Sequence, residues 1–447
     1  MAKTYSLKLW IIFWVVSALF LVGFYGVLEI KNKGISSVVE MFPIDNKYKT
    51  ISRFMDYLLK DNREKTFLIL FENNMEIRPG GGYIGSFGIA KIKNGKVEDL
   101  QIHDLSNFDE RIPDTIEPPY PIKETLHILS WKLRDSNYSP DFPTNAKKAE
   151  EFYYLGQGQE KFDGIIAITA NVLISFLKVT GPIQIEGYPG TYGDENAIIS
   201  LEYQVEQGYL QQGIEKGERK SVMTDLAKEI IQRISTFNAS QKIQLAKIVG
   251  QDLDKKDILL FFHDADLQIE AEKANWGGAV DQTWKKDYLM LVDANMGAFK
   301  SDYYVKRSFD YTVDLSQDIP KAKLSVVYTH TAEQKDWMTK DYLTYLRAYV
   351  PEGAWLTTQK NFDDTKFGSE LSKKYFGALV AVPLKTTQTV EIEYTLPKKI
   401  KENYDLKIQK QAGLNDVLVT VHVISADRTK KDYNFTLNSD IILSELK

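Results

Sequence analysis

The chain has 447 residues, 43% hydrophobic and 26% charged, with 56 basic against 61 acidic side chains and a formal net charge of -5. That length predicts two or three domains with buried cores, and the composition excludes a disordered or collagenous chain. The charge has the wrong sign for a phosphate-backbone interface, so no nucleic acid partner is expected. A cysteine count of 0 excludes disulfides, thiolate metal sites, cysteine nucleophiles and lipidated cysteines.

After residues 1–8, the stretch 9–28 (LWIIFWVVSALFLVGFYGVL) is free of charge. At 1.5 Å per residue it is long enough to cross a bilayer of about 30 Å. No small-x-small cleavage site follows at Gly26-Val27-Leu28-Glu29, so an uncleaved signal anchor is expected rather than a signal peptide. Trp10, Trp14 and Tyr25 lie toward its ends, as interfacial aromatics do. The flanking lysines do not fix the orientation. A short tail left inside and a cysteine-free remainder place residues 1–8 in the cytoplasm and the bulk of the chain outside it, as a single-pass protein of the cell membrane.

Residues 29–60, interrupted by Pro43, are expected to form a helical stalk. Phe67 to Phe71 is a short apolar run of the kind that makes a buried strand. Next comes a glycine-rich stretch, Arg78-Pro79-Gly80-Gly81-Gly82-Tyr83-Ile84-Gly85-Ser86, and then two strand-like runs around Asn94-Gly95, the strongest short hairpin signal. Asp141-Phe142-Pro143-Thr144 caps a helix through Ala146 to Leu155, and Phe162 to Ile168 predicts a strand leading into a helix over 169–178. Residues 219–237 carry Val222, Leu226, Ile230 and Ile234 at helical spacing. Strands mixed with helices predict an α/β domain over 61–300, a mixed sheet with flanking helices. From residue 301 to 447 the pattern changes to strands around 324–328, 342–350, 378–382, 389–396 and 417–423, with prolines near strand ends. An all-β, sandwich-like domain is the economical reading.

The glycine-rich stretch has no Gly-Lys-Ser/Thr and leads into a strand, so it is not a nucleotide loop. Its glycines instead suit positive φ and close backbone approach. Arg78, on a rigid loop, could grip a carboxylate or phosphate, or equally form a structural ion pair with Glu72 or Glu76. His103, Asp104, Asp109, Asp114, Asp135, Asp141 and Asp163 are the candidates for acid and base work. His103, at a strand end, is placed as a site histidine can be. Arg219, opening a helix, could serve an anion site or merely snorkel. No calcium loop, His-Glu-x-x-His or Gly-x-Ser-x-Gly is present, so no metal site is expected from a motif.

These residues, with Ser139-Pro140-Asp141-Phe142-Pro143, Phe162-Asp163-Gly164-Ile165, Thr180-Gly181-Pro182, Asp293-Ala294-Asn295 and Tyr345-Leu346-Arg347-Ala348-Tyr349-Val350-Pro351, resemble a bacterial family of membrane-anchored proteins catalogued only as a domain of unknown function. The resemblance spans most of 60–425 and implies a cell-envelope protein. Over about 65–235 the order of elements is more distantly similar to the LytR-CpsA-Psr family, which transfers glycopolymers from polyprenyl pyrophosphate to the cell wall. That likeness implies a pocket of arginines and aspartates that holds pyrophosphate and a divalent metal. This sequence departs from the pattern. Gly82-Tyr83-Ile84-Gly85-Ser86-Phe87 stands where the family has Arg-Ser-Asp-Thr, and Glu218-Arg219-Lys220-Ser221-Val222 stands at its Arg-x-x-Arg-Gln helix start.

The expectation is an anchored extracytoplasmic envelope protein that binds a phosphorylated lipid-linked or cell-wall glycan, with the lipid bilayer as its other partner through 9–28. The candidate anion site is Arg78, Ser86, His103, Asp104, Asp135 and Arg219, with Asp104 or Asp135 as ligand for magnesium if a pyrophosphate pocket is retained. The alternatives are an active glycopolymer phosphotransferase and a structural or adhesive surface protein.

Overall fold

The computed structural model describes residues 35–40, 46–59 and 62–444. The expected tail 1–8 and anchor 9–28 lie outside these. Among the described residues no helix is long and apolar enough to cross a membrane.

The first region is built on a five-stranded mixed sheet of β1 (Lys65–Asn73), β2 (Tyr83–Lys93), β3 (Lys96–Asp104), β4 (Gly164–Thr169) and β5 (Ile258–Phe262), in the order β3-β2-β1-β4-β5. β1 and β4 run parallel, with Phe67 opposite Gly164 and Glu72 opposite Thr169. The other neighbours are antiparallel. Asn94 and Gly95 take φ of 49° and 71°, the positive values that let a two-residue turn match strand twist. β1 is apolar on both faces because both are covered. Leu68 and Leu70 pack with Ala146, Ala149 and Phe152 of the helix Phe142–Leu155, while Phe67 faces Leu253, Leu260 and Phe262. Asp141 caps that helix as expected, accepting from Thr144 N at 3.1 Å. The helices Asn171–Thr180 and Ser221–Ser235 form a satellite core in which Leu177 meets Val222, Leu226 and Ile230.

The segment expected to be a stalk is docked instead. In the helix Asn46–Leu59, Leu58 is buried, and the Phe54 ring lies 5.3 Å from Phe262 and 6.5 Å from Phe67. Its apolar stripe covers one face of the sheet, so this helix is part of the body.

The second region has two six-stranded sheets. One contains β7 (Val305–Asp314), β8 (Lys321–His330), β10 (Trp355–Lys360), β13 (Thr387–Thr395), β15 (Val417–Ile424) and β16 (Lys430–Leu437). The other contains β6 (Asp287–Val292), β9 (Tyr342–Pro351), β11 (Lys366–Glu370), β12 (Lys373–Val382), β14 (Leu406–Ile408) and β17 (Ile441–Leu443). Their orders are β10-β13-β8-β7-β15-β16 and β11-β12-β9-β6-β14-β17. A single apolar core draws Tyr311, Leu324 and Tyr328 from the first sheet and Leu289, Leu346, Val350 and Phe376 from the second. The boundary at 300 is displaced, because β6 belongs to this region. Leu289 faces the shared core while Tyr288, Met290 and Val292 pack with Tyr349 on the other face. A strand apolar on both faces carries no alternation to assign it to one sheet or another.

Candidate functional site

In open α/β sheets, ligands bind beyond the carboxyl ends of parallel strands, where the chain leaves in opposite directions. Here that place lies beyond Glu72 and Thr169, under the glycine-rich loop. Gly81 takes φ 142°, and a Cβ on it would stand 2.1 Å from Glu72 Oε2. On Gly82 a Cβ would stand 2.5 Å from the Asn73 carbonyl carbon. The glycines therefore let the loop fold back onto the end of its own strand.

The crevice is filled by the chain itself. Residues 409–415, between β14 and β15, cross from the two-sheet region. Ala412 joins the apolar core of the first region. Gln411 Nε2 donates to the carbonyls of Arg78 (3.0 Å) and Asp293 (2.8 Å), and its Oε1 accepts from Asp293 N at 2.8 Å. Asn74 Nδ2 donates to Gly413 O at 3.1 Å. Asn415 Nδ2 reaches Asp257 at 3.3 Å, and Asp257 also accepts from Thr169 Oγ1 (3.0 Å) and Asn171 Nδ2 (2.9 Å). Gly413 has φ 77°, and a Cβ there would fall 1.9 Å from Gly81 O. Two glycines far apart in sequence meet backbone to backbone.

Arg78 sits inside this closure, 1% exposed. Its Nε donates to Asp135 Oδ1 (3.2 Å), Nη2 to Glu76 Oε1 (2.9 Å) and Nη1 to Asn295 O (2.9 Å). The guanidinium carbon lies 5.4 Å from the Tyr83 ring centre. Burial opposes the charge, but Glu76 and Asp135 outweigh it and hold the guanidinium protonated beyond its ordinary range. Burial pushes the Glu76 carboxyl up against the pull of Arg78, and pushes that of Glu72 well above the carboxylate range. The cage continues into the second region. Asp302 accepts from Ile77 N (3.0 Å) and Asn295 Nδ2 (2.7 Å), and also receives Arg307. Both candidate members, Arg78 and Asp135, are thus consumed in holding the two regions together.

Arg219, Asp104 and Ser86 form a separate group that shares no direct partner with Arg78. Ser86 and Asp104 are cross-strand neighbours on β2 and β3. Asp104 caps the short helix Leu105–Phe108 through Ser106 N (2.8 Å) and accepts from Lys220 Nζ (2.9 Å). Arg219 lies 3.8 Å from Asp104 and 3.2 Å from Glu206. Lys300 stands 3.5 Å from both Glu202 and Glu206. Burial resists ionisation of Asp104, but Lys220 and Ser106 prevail and hold its carboxyl below the ordinary range. Burial pushes Lys220 down, against Asp104, and pushes Glu202 up, against Lys300. Three cations, Arg219, Lys220 and Lys300, therefore face three carboxylates, Asp104, Glu202 and Glu206. Asp104 Oδ2 and Arg219 Nε are buried without a hydrogen-bond partner. Sequence reasoning missed Lys220, Glu202, Glu206 and Lys300. Adjacency to Arg219 pointed to Lys220, and the i, i+4 spacing of Glu202 and Glu206 was the other available signal.

His103 belongs to neither group. Opposite Phe87 on the sheet, it faces away from Ser86 and Asp104 and stacks on the Phe87 ring at 4.9 Å. Burial, then Arg111, lowers its pKa. Asp109 pairs with Arg134, Asp114 with Lys132, and Asp163 with Arg63 and Thr66 N. A surface cleft of about 450 Å³ is lined by Asp114, Ile128, Leu129, Ser130, Lys132 and Arg134, both of whose cations are thereby paired. Among the described residues no group of three or more His, Asp or Glu could hold a metal ion. Asp135 is spoken for by Arg78 and Asp104 by Lys220, so neither fits the role of magnesium ligand.

A family model described as "Protein of unknown function (DUF4012)" matches residues 62–205. That span holds β1 to β4, the glycine-rich loop and the capped helix. No curated protein matches the chain. Among solved structures, the X-ray structure of the Lin1025 protein from Listeria innocua is similar at 12% identity and a TM-score of 0.27, over 48% of this chain and 78% of that one.

Proposed function

We propose that the chain is a membrane-anchored, extracytoplasmic protein of the cell envelope that binds a cell-wall or lipid-linked glycan at its surface and does not transfer it. The observation that carries this is the state of Arg78: 1% exposed, with its donors given to Glu76, Asp135 and Asn295. A pyrophosphate pocket of the LytR-CpsA-Psr kind needs arginines whose donors are free to meet phosphoryl oxygens. Arg219 is the better placed contact, since its side chain retains 16% exposure. Around it, Glu206 and Lys300 offer acceptors and donors suited to sugar hydroxyls, and Tyr203, 42% exposed beside Glu202, offers a ring face.

The test is equilibrium binding of full-length chain in detergent to purified wall glycan and to a polyprenyl pyrophosphate analogue, with and without magnesium. Saturable glycan binding weakened about tenfold by Arg219→Ala is the expected result, with no magnesium-dependent capture of the analogue. Magnesium-dependent turnover would return the chain to the transferase class. Two exposed aromatics favour a second reading, adhesion through the sheet edges: Trp355 on β10 and Phe367 on β11 are 69% and 58% exposed. Glycan binding unchanged by Arg219→Ala but lost in Trp355→Ala would select it.

A further inference from the structure

The helix Asn46–Leu59 carries two apolar stripes. Ile51, Phe54 and Leu58 pack onto the sheet. Met55 and Leu59, four residues apart and so on one line of the helix, are 39% and 43% exposed. The second stripe continues onto the β2–β3 hairpin. Leu59 Cδ2 lies 3.1 Å from where a Cβ on Gly95 would be. Asn94 Nδ2 donates to Asn62 Oδ1 at 2.7 Å, and Val97 beyond the turn is 42% exposed. Lys93 and Lys96 flank the turn.

The chain enters the body at the same place. The backbone amides of Ile35 and Ser36 donate to the Asp56 carboxylate at 2.6 and 2.8 Å, which fixes the start of the helix Ile35–Val39 against the neighbour of Met55. Only residues 29–34 separate Ile35 from the end of the apolar run at Leu28. Fully extended, they reach about 25 Å. From Asp56 to Leu59 the helix rises about 4.5 Å more. If 9–28 crosses the bilayer, the body is therefore tethered beside Met55 and Leu59.

We infer that Met55, Leu59 and Val97 form a membrane-docking face that rests on the lipid surface, with Lys93 and Lys96 at headgroup level. The inference depends on the anchored reading given under Proposed function. The chemistry suits an anionic bilayer, because apolar side chains enter the acyl boundary while flanking lysines meet phosphates. A free-hanging body would need a long hydrophilic linker, and this chain supplies six residues.

The absence of cysteine makes the test direct. Single-cysteine variants Met55→Cys, Val97→Cys and, as control on the second region, Trp355→Cys are labelled with an environment-sensitive fluorophore. The full chain is then reconstituted into phosphatidylcholine–phosphatidylglycerol vesicles containing doxyl-labelled lipid. The expected result is that the chain floats with the vesicles and labels at 55 and 97 are quenched about threefold more than the label at 355. Flotation with equal quenching at all three positions would overturn the docking face and leave the anchor standing. Intermolecular disulfide formation by unlabelled Met55→Cys in detergent, absent for Trp355→Cys, with no preferential quenching in vesicles, would overturn the docking face and assign it to a second copy of the chain. Failure to float would remove the anchored reading, and the docking face with it.

Discussion

The surroundings of Arg78 and of Arg219 make opposite use of the same side chain. Around Arg78, carboxylates and carbonyls from the first region (Glu76, Asp135) and the second (Asn295) take up the guanidinium in a dry junction. Around Arg219, Asp104 stands 3.8 Å off, Glu206 is itself part-exposed, and solvent still reaches the arginine side chain. The difference teaches that an arginine is available to a ligand according to how its donors are already committed. In a low-dielectric site a fully paired guanidinium is bound to its partners more firmly than any incoming anion could repay.

Breaking the junction should produce the largest effect. Arg78→Ala leaves Glu76 and Asp135 buried without the cation they share and is expected to cost about 3 to 5 kcal/mol, read from the shift of the urea midpoint. Gly413→Ala attacks the same closure without touching a charge. A methyl group aimed at Gly81 O from a positive φ should cost about 2 to 4 kcal/mol, measured the same way.

A third comparison sharpens the role of burial through pH. Lys410, on the crossing segment, donates to Lys255 O (2.6 Å) and Gln411 O (3.1 Å). Burial lowers its pKa from 10.5 to about 8, against the pull of Asp257. A depressed pKa contributes stability that is present above the unfolded value and is lost as pH falls through the folded one. Wild type should therefore gain stability relative to Lys410→Met as pH rises from about 8 toward 10, on the order of 2 kcal/mol. A flat difference across that window in paired denaturation curves would show that Lys410 is not buried as described. The smallest effect on folding belongs to Arg219→Ala, within about 1 kcal/mol because the pairs it breaks are partly solvated. Its consequence should appear in glycan binding, while Arg78→Lys, which keeps charge but not the fork of donors, should lower stability before it alters binding.

Much of the framework was legible in the sequence because it rests on short-range signals. Asn94-Gly95 announced its hairpin, Asp141 its helix, and the period of Val222, Leu226 and Ile230 its amphipathic face. The mixed sheet and the β-rich second region followed from the change of pattern near residue 300. What failed to show were assignments set by distant partners. β6 is apolar on both faces, and nothing local says whose sheet it joins. The helix Asn46–Leu59 has the stripe of any surface helix, and its docking depends on Phe67 and Phe262. For Arg78 the sequence leaves open an anion grip or an ion pair with Glu72 or Glu76. The choice was made by Asp135 and by Asn295, 217 residues away. His103 lost its place beside Asp104 through the alternation of a strand, since adjacent residues there face opposite ways.

The crossing segment also sets the order of events as the chain is made. The bond from Gln411 to the Arg78 carbonyl spans 333 residues, and Gly81 has no backbone neighbour on that side until Gly413 arrives. A ribosome delivers the sheet, its loop and its flanking helices long before it delivers the piece that seals them. For that interval the first region carries an open seam of polar backbone and buried-type carboxylates. The first region is therefore completed only by a segment of the second, so the two are not separable modules. The seam closes only when residues 409–415 are in place.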